Sequence, residues 1–143
     1  PQIEKILGKL LDHRRGLLRF MLEAAGEAEL SGDWNAATWY YKKLLADKYE
    51  EYVPHLAFAQ FKSGNTAGAL ETLEFNPPSR LTMLVRALIS EANRDENTMN
   101  FVRQSAGAKI PARWTGMRME LEKIKARWNK SSAMKALLEG IQL

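Results

Sequence analysis

Apolar residues recur at intervals of three and four along nearly the whole chain, the spacing of one face of an α-helix. Ile3, Ile6, Leu7, Leu10 and Leu11 open the pattern, and Leu17, Leu18, Met21 and Leu22 carry it onward. Gly8 and Gly16 interrupt it. Each costs about 1 kcal/mol against Ala inside a helix, so the segment is expected as two helices or one bent helix, broken near Asp12 to Gly16. Residues 17–30 read as a helix whose Ala24, Ala25 and Ala28 permit close approach, and residues 33–46 as the next. After the connector Asp47 to Glu51, residues 51–62 form a helix with Tyr52, Val53, Leu56, Ala57 and Phe61 apolar and Pro54 in its first turn. Residues 65–75 follow, stopped by Asn76-Pro77-Pro78.

The second half continues in helices. Ser79 is the expected N-cap of a helix through Ala92, with Leu81, Leu84, Val85, Leu88 and Ile89 inward. A turn at Asn93 to Asp95 leads to a short helix over 96–106, closed by Gly107. Pro111 is expected to open a long helix to about Asn129, with Trp114, Met117, Leu121, Ile124 and Trp128 on one side. Ser131 or Ser132 caps a last helix carrying Met134, Leu137, Leu138 and Ile141.

One stretch occurs twice. Ser31-Gly32-Asp33-Trp34 with Ala37, Tyr41 and Leu45 returns as Ser63-Gly64-Asn65-Thr66 with Ala69 and Leu73. Gly32 to Gly64 and Ala37 to Ala69 are both steps of 32 residues. A fixed period of this size marks an array of helical hairpins. The third hairpin, 79–106, lacks the Gly and the Ala, so the repeat there reads as degenerate or ended.

These residues resemble the second half of a tetratricopeptide (TPR) motif, with its Gly-Asp-aromatic turn, small Ala and following aromatic. The likeness covers residues 18–78; Gln60 stands where the family has an aromatic, and the step is 32 rather than about 34. The resemblance implies an all-α, right-handed TPR-like superhelix of antiparallel hairpins: an N-terminal helix 1–16, repeats at 17–46 and 51–78, a degenerate repeat at 79–106, and capping helices at 111–143. It also implies a concave groove lined by the first helix of each hairpin. That places Arg19, Leu22 and Glu29, then Phe58, Phe61 and Lys62, at a protein-binding face, with Phe58 exposed as anchor and Phe61 in the core. Ile3 to Leu18, with Lys5, Lys9, Arg14 and Arg15, is similar to the linker helix between a receiver domain and a TPR region in some bacterial response regulators. The chain's size and repeat number also resemble the small TPR chaperones of type III secretion.

Composition narrows the chemistry. The 143 residues contain no cysteine, which excludes disulfides and thiolate metal sites. No apolar run nears the roughly 18–20 residues that span a bilayer, and the start at Pro1 shows no signal peptide and no initiator Met. A cytoplasmic protein, processed or cut from something longer, is expected. Residues 1–100 carry 12 Lys/Arg against 14 Asp/Glu, whereas 101–143 carry 9 against 3, a basic tail on a near-neutral body. Arg113, Arg118, Lys123, Lys125, Arg127 and Lys130 supply it, and nucleic-acid binding is the alternative function they suggest. They spread around the helix instead of along one face, so that partner ranks second.

His13 and His55 are the only histidines, read as surface or half-buried, and no His-x-x-x-His or Glu-x-x-His pair exists for a metal. Glu23 and Glu27 share a face at i,i+4. The stripe Trp34, Trp39, Tyr40, Tyr41 reads as hairpin-to-hairpin packing, and the Trp114–Trp128 stripe as a cap on the end of the stack. No nucleophile–base set is present. The expectation is a non-enzymatic protein-interaction module, without cofactor, forming the regulatory part of a larger bacterial signalling protein. Its partner is a protein or peptide in the groove; homodimerisation stays open.

Overall fold

The computed structural model describes residues 2–126 and 132–141, with the side chains of Gln2, Glu4, Leu7, Leu10 and Leu11 left aside. Trp128, Arg127, Lys130 and Ser131, named in the sequence reading, lie outside the described residues. The chain is all-α. Its helices are α1 (Gln2–Ser31), α2 (Trp34–Ala46), α3 (Val53–Lys62), α4 (Thr66–Glu74), α5 (Arg80–Ala92), α6 (Thr98–Ser105), α7 (Thr115–Ala126) and α8 (Ser132–Gly140). A short 3-10 turn, Glu50–Tyr52, leads into α3. Among the described residues no helix is long and apolar enough to cross a membrane.

The break expected between Asp12 and Gly16 is absent, because α1 runs unbroken for 30 residues. Glycine weakens a helix without removing a hydrogen bond, so Gly8 and Gly16 are carried inside one helix. The N-terminal half of α1 stands clear of the body, leaving Ile3, Ile6, Leu17 and Phe20 exposed.

The hairpins are made by one repeated turn. Gly32 has φ +78° and Gly64 φ +92°. At the first, Gly32 N–H donates to the Glu29 carbonyl and Asp33 N–H to that of Ala28, 3.1 and 2.8 Å. At the second, Gly64 and Asn65 donate to Phe61 and Gln60, 3.1 and 2.9 Å. Both are Schellman closures with glycine in the left-handed position. The residue after each caps the next helix: Asp33 Oδ1 accepts from Ala36 N–H and Asn65 Oδ1 from Gly68 N–H.

The third hairpin keeps this geometry without the glycine. Arg94 takes φ +55°, and Arg94 and Asp95 donate to Glu91 and Ser90, 3.1 and 2.9 Å. The sequence marks this repeat as decayed, yet its backbone closes the same way, at a cost of about 1–2 kcal/mol for a side chain in the left-handed region.

Ala37 and Ala69 are fully buried, as their matching positions predict. Trp39 departs from the packing stripe. It is 55% exposed, with Tyr40 edge-on at 5.2 Å and Lys43 Nζ 5.3 Å from its ring centre. Gln60 is buried where the TPR pattern has an aromatic, and its Oε1 accepts from the Thr72 hydroxyl at 2.6 Å, tying α3 to α4.

The C-terminal segment differs from the long helix expected from Pro111. Residues 111–114 form a turn in which Trp114 N–H donates to the Pro111 carbonyl at 3.0 Å, and α7 begins only at Thr115. Arg118 secures that turn by donating to the carbonyls of Ile110 and Pro111, 3.1 and 3.4 Å. α8 packs on α6, while α7 turns back to α1 and to the end of α3, where Glu120 pairs with Lys62 at 3.0 Å.

Candidate functional site

The return of α7 makes α3 the most enclosed helix. Every residue from Val53 to Gln60 is buried. His55, expected at or near the surface, is only 6% exposed, because Trp114 stacks on its imidazole with ring centres 4.0 Å apart and planes at 21°. Tyr52 meets the same imidazole edge-on at 5.1 Å, and Tyr41 lies against it at 5.4 Å. His13 is exposed.

These rings floor a half-open cavity of about 800 Å³. One wall is α1, through Leu22, Glu23, Gly26, Glu27 and Leu30. The other is the turn Pro111–Thr115 with Leu81, and Glu51 stands beside Tyr52 at the edge. Burial holds the His55 imidazole far below its ordinary value, down to about 3, so it is neutral at physiological pH. Its Nδ1, the Thr115 hydroxyl and the Trp114 indole nitrogen are buried without a hydrogen-bond partner among the described residues.

Beneath the α1 wall sits Glu29, 2% exposed. Its Oε1 accepts from the Tyr41 hydroxyl at 2.9 Å and its Oε2 from Gly116 N–H at 3.1 Å. Burial raises its carboxyl from about 4.5 to about 7; these two donors, and more weakly the nearby Trp114 indole N–H, which falls short of hydrogen-bond geometry, work against the rise without cancelling it. Burial and the adjoining Glu29 push the Tyr41 hydroxyl upward, so it stays a donor. Glu29 therefore joins α1, α2 and the start of α7, and fixes the turn that forms the cavity's far wall. Gly116 permits the approach: a methyl there would lie 2.9 Å from both Glu29 Oε2 and the tip of Trp34.

The six residues expected at a binding face do not converge. Leu22 lines the cavity, whereas Arg19 is exposed on α1 outside it. Glu29 is interior. Phe58 reverses the expectation of an exposed anchor: it is fully buried, edge-on to Trp34 at 5.5 Å and to Trp114 at 5.8 Å. Phe61, assigned to the core, is the half-buried one. Lys62 is half-buried, paired with Glu120 and 5.8 Å from the Trp34 ring centre, beside a smaller cavity of about 210 Å³. The face of α3 that a hairpin stack would leave open is filled by Trp114. The residues that do meet at the cavity include Glu23 and Glu27, whose shared face was legible, and Tyr41, Tyr52, His55 and Trp114, whose meeting was not.

Among the described residues, no three His, Asp or Glu side chains gather as a metal site would require. Comparison of the chain with protein-family models, with curated proteins and with solved structures finds no match.

Proposed function

We propose that this chain is a TPR-like stack of helical hairpins acting as a non-enzymatic protein-interaction module within a larger regulatory protein, and that it holds a partner's peptide segment in the cavity between α1 and the turn 111–115. The observation that carries the reading is that cavity, with its aromatic floor. Its volume of about 800 Å³ suits one or two large side chains. Leu22, Leu30 and Leu81 offer apolar contact, and the exposed carboxylates of Glu23, Glu27 and Glu51 can accept hydrogen bonds from a peptide. The nucleic-acid alternative has less support. Arg118 is engaged with main-chain carbonyls, and Arg113 belongs to the cavity wall beside three carboxylates.

Gly26 gives the test. It lines the cavity, and a side chain there meets nothing within 4 Å. Gly26→Phe therefore plugs the cavity while improving the helix. Peptides selected on the wild-type chain from a random-sequence display library are expected to lose binding to Gly26→Phe, with circular dichroism and melting temperature preserved. Equal binding by the folded variant refutes the cavity as the binding site.

A further inference from the structure

We propose that the occupant of this cavity is a basic segment of a partner protein: a large apolar side chain seats against Leu22, Leu30 and Leu81, and a neighbouring Arg or Lys is held by the carboxylates of Glu23 and Glu27. This rests on the cavity reading above and adds the chemistry of what the cavity accepts.

The cavity has a sign. Glu23 and Glu27 stand one helical turn apart on the exposed edge of α1, and the exposed Glu51 lines the same cavity. Arg113 is the only cation among the lining residues. None of the three carboxylates has an ion pair or hydrogen bond among the described residues. Two like charges at i,i+4 repel one another, and a cation placed between them relieves that repulsion. The chain as a whole is basic, with a formal charge of +4, so an acidic mouth runs against the average of its surface.

The floor agrees with the mouth. The buried His55 imidazole is neutral and brings no competing positive charge. The half-buried ring of Tyr52 adds a surface to which a guanidinium or ammonium is attracted. An acidic peptide, a phosphate or a nucleic-acid backbone would meet three carboxylates and one guanidinium, which opposes binding. The apolar walls call for more than a bare cation. A basic peptide with an apolar anchor satisfies both.

The experiment uses the full chain and a display library of random dodecapeptides, selected in parallel on wild type and on the double variant Glu23→Gln, Glu27→Gln. Both positions are exposed, so folding is not at risk. The wild-type pool is expected to be enriched in Arg and Lys beside an apolar residue, and the variant pool is not. A synthetic peptide from the wild-type pool is expected to bind the variant about three- to tenfold more weakly, to weaken with added salt, and to bind Arg113→Gln more tightly than wild type. A neutral or acidic wild-type pool, or a basic bias that survives in the variant, overturns the inference and leaves the cavity reading standing. No enrichment of any peptide on wild type overturns both.

Discussion

Replacing Glu29 by Gln should make this protein more stable at neutral pH, although it deletes a charge that accepts two hydrogen bonds. The folded chain holds the carboxyl proton up to about pH 7, whereas the unfolded chain releases it above about 4.5. Wild-type stability is thus favoured below pH 4.5 and falls as pH rises through 7. At about 1.4 kcal/mol per pH unit, ionising the buried carboxyl costs about 3 kcal/mol at pH 8. Glutamine keeps the shape and carries no charge. Its carbonyl can accept from Gly116 N–H, and its amide can donate to Tyr41 once that hydroxyl rotates.

Urea unfolding of both proteins at pH 5, 6, 7 and 8 measures the difference directly. The gain of the variant over wild type should be small at pH 5, grow by about 1.4 kcal/mol per unit, and level off near 2–3 kcal/mol at pH 8. His55 titrates in the opposite sense. Its folded value lies near 3 against an ordinary 6.5, so its contribution is complete above 6.5 and is lost as pH falls toward 3. Between about 4.5 and 6.5 the two slopes oppose each other in wild type, while in the variant stability should climb with pH across that interval. A variant less stable than wild type at pH 8, or a difference that ignores pH, would show that the carboxylate is ionised and required as such.

Two further perturbations probe the packing. Gly116→Ala puts a methyl 2.9 Å from Glu29 Oε2 and from Trp34, and should destabilise by about 1–3 kcal/mol in thermal unfolding; an unchanged or raised melting temperature would mean that α7 does not lie so close to α1. Ala37→Leu, at a fully buried position, should lower the melting temperature clearly, while Ala36→Leu, half-buried next to it, should do so less; equal and negligible effects would remove the tight crossing inferred at Ala37.

How far the fold could be read from the chain depends on the range of the interactions involved. The hairpin turns at Gly32 and Gly64 are local: a left-handed glycine, then a capping Asp or Asn, specify them within a few residues. The third turn is legible at Asn93 to Asp95, but its kinship with the first two is not, because what they share is the backbone conformation at Arg94 and not the residue. The sequence leaves open whether α1 breaks near Gly16 for a related reason, since propensity lowers the stability of a helix without dictating an end. Pro111 misled in the other direction. A proline suits a first helical turn, but the carbonyls of Ile110 and Pro111 are taken by Arg118, which holds the segment as a separate turn.

The site was harder to see, because it is built by a contact spanning 87 residues, Gly116 to Glu29. Nothing around Phe58 indicates that Trp114 arrives beside it, so an exposed anchor was a fair inference from α3 alone and the wrong one once α7 had docked. The chain nonetheless holds a local clue. Glu29 lies four residues after Ala25 and next to Ala28, on the stripe that α1 turns inward. A carboxylate on such a stripe is costly unless a donor reaches it. With Tyr41 able to supply one bond from α2, its second oxygen required a donor from elsewhere, and a glycine opening a helix is a natural source because its first N–H groups have no partner within the helix. Gln60 follows the same logic over a shorter distance, its Thr72 partner lying just across the hairpin. A polar residue on a buried stripe is therefore better read as evidence of a distant contact than as a groove residue out of place.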